Sequence, residues 1–161
     1  MSNKRHVMYK KLEKLQVTPP NNLRTITEMD AVALGHLMYA SYKGTIDYEG
    51  ETLEQSIQEM SETLSGKYGE LNCSASLMIL EGDKAIAVVI FVFYNKEEMP
   101  LLAFTMTHPD HQGKGLSQSL IKTCLSILHD QGSEQCCLVV TEGNQPAQGI
   151  YQKMGFSLSK V

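Results

Sequence analysis

The densest chemistry in this sequence lies in ten consecutive residues: His108, Pro109, Asp110, His111, Gln112, Gly113, Lys114, Gly115, Leu116 and Ser117. A short apolar segment, 101–107, leads into them and a helical pattern, 116–129, leads out. A strand, a glycine-bearing loop and a helix start therefore follow one another. Such a junction collects backbone N–H groups that lack intrahelical acceptors at the positive end of a helix dipole. That arrangement seats a phosphate or pyrophosphate. Gly113 and Gly115 let the backbone bend tightly and come close to a ligand, and Lys114 adds positive charge. Taken alone, the glycine pair fits a plain strand-to-helix turn equally well.

Two familiar phosphate loops are excluded. A Walker A loop needs glycine where His108 stands, and Ser or Thr where Gly115 stands; a Rossmann fingerprint begun at Gly113 needs glycine where Gln118 stands. What remains is Gln112-x-x-Gly115-x-Ser117 opening a helix. A second block runs from Asn144 to Phe156. Pro146 suits a first helical turn. Ala147, Ile150, Tyr151 and Met154 fall at i, i+3, i+4 and i+7, one apolar helix face, and Gly155 is placed to stop the helix.

The first unit resembles motif A of the GCN5-related N-acetyltransferases, Gln/Arg-x-x-Gly-x-Gly/Ala, with Ser117 where the family has a glycine or alanine. The second block resembles the family's motif B. The resemblance is specific over residues 101–156; upstream it rests on the order of elements. It implies an acetyl-CoA-dependent transfer of an acetyl group to a primary amine of a small molecule or peptide. It assigns the cofactor pyrophosphate to the amides of Gln112, Gly113, Lys114, Gly115, Leu116 and Ser117. It assigns the pantetheine arm and the acetyl oxygen to the backbone of Thr105, Met106 and Thr107. Asn144 and Ala147 become further cofactor contacts, and Tyr151 the general acid, its phenol (reference pKa about 10) protonating the departing thiolate. Read without the resemblance, Thr105, Met106 and Thr107 are ordinary strand residues, Asn144 a cap or turn residue, and Tyr151 a core aromatic.

The base stays open. Many relatives carry a glutamate on the fourth strand, but 101–107 holds no carboxylate. Glu97 and Glu98 precede that strand, Asp47, Glu49 and Glu51 lie in or near the loop between the first two helices, and His108 lies near the site. A water chain to a backbone carbonyl competes with all of them. A non-catalytic acyl-CoA-binding module of the same fold is the alternative from another class; retention of Tyr151 speaks for the enzyme.

The elements that would position these groups follow from the apolar pattern. Residues 1–16 are basic, with Met8, Leu12 and Leu15 on one helical stripe, and form a short helix or an extended arm. Thr18 to Asn22 break the chain. A strand is expected at 23–27, helices from Asp30, an N-cap candidate, to 42 and over 52–65, a hairpin of strands 74–80 and 84–94 around Gly82, a turn at 95–100, and a fourth strand at 101–107. The motif A helix, a strand near 136–141, the motif B helix and a short last strand complete an α/β fold. Its central sheet is mixed and mostly antiparallel with flanking helices, the acyl-CoA N-acyltransferase fold, and the C-terminal strand pair is shortened. One domain is expected over 1–161, with an N-terminal arm at 1–20. Only residues 157–161 follow motif B, so the edge beside the fifth strand should be covered by that arm or by a partner subunit, as in a homodimer.

The chain has 161 residues, 42% of them hydrophobic and 20% charged, with a formal net charge of −4. This is globular composition, and the absence of basic bias disfavours nucleic acid. The longest apolar run, 85–94, is too short to span a membrane as a helix, and no secretory signal is present, so a cytoplasmic location is expected. Cys73, Cys124, Cys136 and Cys137 form no metal-ligand spacing, and neither do the five histidines. No metal is expected. The cysteines read as reduced, with Cys136 and Cys137 on opposite faces of a strand.

Overall fold

The computed structural model describes residues 4–94, 99–143 and 145–158. In chain order the elements are β1 (Arg5–Lys11), β2 (Leu23–Thr25), α1 (Ala31–Tyr42), α2 (Leu53–Leu64), β3 (Glu70–Leu71), β4 (Leu77–Glu81), β5 (Lys84–Tyr94), β6 (Met99–Thr107), α3 (Leu116–Asp130), β7 (Gln135–Thr141) and α4 (Gln145–Lys153). Seven strands form one sheet in the order β1-β7-β6-β5-β4-β2, with β3 paired to β5. Every described strand pair is antiparallel except β6 with β7. Among the described residues no helix is long and apolar enough to cross a membrane.

The apolar run of β5 is continuous because this strand is covered on both faces. Ala87, Val89 and Phe91 pack with Leu120, Leu125 and Leu128 of α3. Val88, Ile90 and Val92 pack with Leu34, Leu37 and Met60 of α1 and α2. The two anticipated helices thus sit together on one face and α3 on the other. Helices α1 and α2 approach so closely that a methyl on Gly35 would collide with Ile57.

Adjacent Cys136 and Cys137 enter opposite cores, as strand alternation requires. Burial pushes the thiols of Cys136 and Cys137 up to about 12 and about 11, and raises that of Cys124 as well. Cys73 is exposed. One of the four thiols is therefore expected to react rapidly with a thiol reagent in the native protein, and all four after unfolding. Rapid native reaction of a second thiol would contradict this packing.

The N-terminal segment is a strand. Spacing of four between Met8 and Leu12 satisfies a helical stripe, but it satisfies one face of a strand too, and the unpaired edge of β7 decides the outcome. β1 runs antiparallel to β7 from Arg5 opposite Thr141 to Lys11 opposite Gln135. Met8 and Leu12 enter the α3-side core. On the outer side Tyr9 exchanges two backbone hydrogen bonds with Ser157, 2.7 and 2.8 Å. The short last strand is reduced, among the described residues, to that single bridge; residues 159–161 lie outside them. The arm thus covers the β7 edge. Removing residues 1–17 strips out Met8 and Leu12, whose burial contributes about 1.5–3 kcal/mol each, and bares β7. A lower melting temperature and concentration-dependent association on gel filtration are expected; no change in either would contradict this role.

Asp30 stands at the N-cap of α1 but does not cap it with its side chain. Its carboxylate instead accepts from both Arg24 guanidinium nitrogens, 3.0 and 2.8 Å, and from the Thr27 N–H at 2.8 Å. The stronger charged donor takes it, which ties β2 to the start of the helix.

Candidate active site

The central feature is a break in the sheet. β6 and β7 pair in parallel only at Leu101 with Cys137 and Leu102 with Leu138. Beyond that point the strands diverge. A register shift on the other side of β6, between Ile90 and Phe91 of β5, leaves Ala103 as an extra residue where the divergence begins. Past the bulge β6 stays bound to β5, and the His108 N–H still donates to the Ile86 carbonyl at 2.8 Å. Strand alternation therefore turns the backbone groups of Thr105 and Thr107 the other way, into the opening. The result is a cavity of about 580 Å³ between β6 and β7, closed by the loop after α1 and by Tyr151 of α4.

The loop after β6 continues that wall. Pro109, Asp110 and His111 form a 3₁₀ turn, and Gly113 and Gly115 both adopt left-handed backbone, with φ of 82° and 75°. Gly115 is the N-cap of α3. A Cβ at either glycine would meet nothing within 4 Å, so the left-handed turn, not crowding, requires glycine here. The N–H groups of 113–118 have no acceptor among the described residues; the first amide to find one is Ser119, which donates to the Gly115 carbonyl at 3.1 Å. Ser117 does not crowd this row of donors. Its hydroxyl lies 3.0 Å from the Thr105 hydroxyl, turned back toward β6. Gln112 donates to the Thr107 carbonyl at 3.3 Å, and Lys114 Nζ stands 3.4 Å from His111 Nδ1.

The profile of the acetyltransferase (GNAT) family matches residues 37–156, about three quarters of the chain. This chain belongs to the GNAT acetyltransferase family. It is 41% identical over 49 residues to a mycothiol acetyltransferase of Catenulispora acidiphila, a match covering 30% of this chain and only 16% of that protein. Its backbone resembles that of the PaiA N-acetyltransferase of Thermoplasma acidophilum, solved in complex with coenzyme A (TM-score 0.67, 20% identity, 84% of this chain and 88% of that one). It also resembles PH1933 of Pyrococcus horikoshii (TM-score 0.65, 22% identity, 97% and 92%). At these identities the structural likenesses establish the α/β fold with its mixed, mostly antiparallel sheet.

In this GNAT acetyltransferase the Tyr151 ring packs edge-on against Phe156, 5.9 Å between centroids. Tyr151 lines the cavity, and its hydroxyl has no hydrogen-bond partner among the described residues. Burial pushes the phenol up to about 12, and the negative charge of Asp47 adds to the effect. Met154 joins the same core, but Ile150, expected on that face, is 40% exposed. Ala147 lies in α4, and Asn144 lies outside the described residues.

Of the carboxylates weighed as a base, Asp47 alone lines the cavity among the described residues. The Thr141 hydroxyl donates to Asp47 Oδ1 at 2.9 Å, pinning the loop after α1 to the end of β7. Glu51 instead accepts from the Glu49 N–H at 3.0 Å within its own loop, and His108 Nδ1 accepts from the Asp110 N–H at 3.1 Å. Glu97 and Glu98 lie outside the described residues. The sequence reading missed Tyr42, the last residue of α1, which lines the cavity with its phenol raised by burial and by Asp47. It also missed Thr141. Their only sequence signal was position, at the last turn of a helix and the last residue of a strand.

The site's polar inventory fits a CoA thioester. Amides without acceptors suit a pyrophosphate. Outward-facing strand groups suit a chain of amides. The buried Thr107 hydroxyl has no partner among the described residues, which suits an amide arriving beside it.

Proposed function

We propose that this chain transfers the acetyl group of acetyl-CoA to a primary amine, of a small molecule or peptide, by direct attack. The observation that carries the reading is one cavity lined by the open β6 backbone at Thr105 and Thr107 and by Tyr151, and bordered at Gln112 by the loop whose amides from Gly113 onward have no acceptor among the described residues. The loop Gln112, Gly113, Lys114, Gly115, Leu116 and Ser117 holds the pyrophosphate. The β6 segment Thr105, Met106 and Thr107 aligns the pantetheine arm, with Asn144 and Ala147 beside it. An N–H of this segment polarises the thioester oxygen.

The amine nitrogen forms its bond to the thioester carbon as the C–S bond breaks. An acceptor that arrives as an ammonium first loses one proton to solvent to free its lone pair; as the bond forms, Tyr151 gives its proton to sulfur, the nitrogen releases a further proton to solvent, and solvent reprotonates the phenolate. A donor whose pKa sits near 12 stays protonated at neutral pH, which is the form this step needs. The test is acetyl-CoA titration by calorimetry followed by mass spectrometry of a panel of amines. Binding and amine acetylation support the reading. Binding without turnover on any amine favours a non-catalytic CoA-binding module, and absence of binding overturns both.

A further inference from the structure

Resting on that reading, we infer that the acceptor is a small monoamine with an apolar body and no acidic group near its nitrogen, and that Asp47 recognises its ammonium. Among the described residues lining the cavity, Asp47 is the sole charged side chain. Thr141 occupies one of its oxygens. The other makes no hydrogen bond within the described protein, and a protein carboxylate left with an open oxygen at a cavity wall suits a cationic donor. One carboxylate matches one positive charge. A polyamine would leave its further charges against hydroxyls and aliphatic surface.

The absence of any Lys, Arg or His from the described lining argues as strongly against anionic groups. An amino acid's carboxylate would be desolvated beside Asp47 with no cation to meet it. The rest of the acceptor side is apolar. Ile46 beside Asp47 and Val139 on β7 both line the cavity and are 47% and 46% exposed. Val7 of β1, 40% exposed, stands directly opposite Val139 in register and extends that surface outward. Large apolar side chains left half-exposed side by side at a cavity mouth form a ready contact for an alkyl or aryl group. The pantetheine arm takes part of the 580 Å³ cavity, which leaves room for a small body.

The test compares phenethylamine, hexylamine, phenylalanine, spermidine and a peptide with a free N-terminus as acceptors for the wild-type protein. Phenethylamine and hexylamine are expected to be acetylated with higher kcat/KM than the other three. Phenylalanine differs from phenethylamine by one carboxylate, so equal use of the two would overturn the inference, as would preference for spermidine or the peptide. Asp47→Asn keeps an acceptor for Thr141 and removes the charge. It is expected to lower kcat/KM for phenethylamine about 10- to 100-fold, mainly through KM, as loss of a hydrogen bond to a charged group implies. Acetyl-CoA affinity and melting temperature should be unchanged. Thr141→Val, which keeps the charge and removes only the pin, should cost far less. An unchanged kcat/KM in the Asn variant overturns the role of Asp47. Two readouts separate the levels: acetyl-CoA binding with acetylation of other amines but not of phenethylamine or hexylamine overturns this inference alone, whereas no acetyl-CoA binding, or no turnover on any amine, overturns the reading on which it rests.

Discussion

Replacing Tyr151 with Phe should lower kcat by about 100-fold or more, the range typical of losing a positioned general acid, while acetyl-CoA binds with near-normal affinity. The substitution removes one hydroxyl and keeps the ring, so the packing against Phe156 persists. The hydroxyl has no partner among the described residues, so its loss leaves no orphaned group behind. A merely structural tyrosine would therefore give an active, slightly altered enzyme. The pH profile adds a second check. Because burial raises this phenol to about 12, its protonated, donating form persists as pH rises past 10, where an exposed tyrosine would be half ionised. The alkaline decline in kcat due to Tyr151 should therefore lie above pH 10. Asp47→Asn removes a negative charge that favours the neutral phenol, so it should move that decline downward. Full turnover by the Phe variant would refute the assigned acid.

Replacing Gly113 and Gly115 together with Val should abolish measurable acetyl-CoA binding. Two separate effects contribute. Left-handed backbone at a β-branched residue costs about 1–3 kcal/mol per position, which pulls the loop away from its present shape. The new side chains would also stand in space that is empty within 4 Å, in front of the amides that have no acceptor. Losing two or more hydrogen bonds to a charged group, each about 1.5–3 kcal/mol, corresponds to at least about 100-fold in affinity. The sheet should survive, because neither Cβ meets protein. Calorimetry and far-ultraviolet circular dichroism on the same sample check both halves; retained micromolar binding would mean the loop is not the pyrophosphate seat.

The groups that were legible in the sequence were those governed by local rules. The run of β5 announced a strand, the break at Gly113 and Gly115 announced a helix start, and Gly155 announced a helix stop. What was illegible depended on long-range competition. Met8 and Leu12 fit a helix and a strand equally, and only the open edge of β7, more than a hundred residues away, selected the strand. Asp30 stood where a cap belongs, yet Arg24 drew its carboxylate away. Asp47, Glu49 and Glu51 were indistinguishable as neighbours in a polar loop. The hydrogen bond from Thr141 sets Asp47 apart. The divergence of β6 from β7 had no local signature at all, since the bulge at Ala103 arises from pairing with β5.

One cavity, between β6 and β7 and bordered at Gln112 by the loop that leads into α3, is proposed to hold acetyl-CoA for attack by an amine. Amide hydrogen exchange of the wild-type protein with and without acetyl-CoA tests it most directly. The expected result is new protection at residues 103–107, 113–118 and 139–141, whose amides are open or newly covered in this geometry, with little change in β2 or β4 on the far side of the sheet. Saturating acetyl-CoA that leaves 113–118 exchanging as before, or that protects another surface instead, would contradict the account.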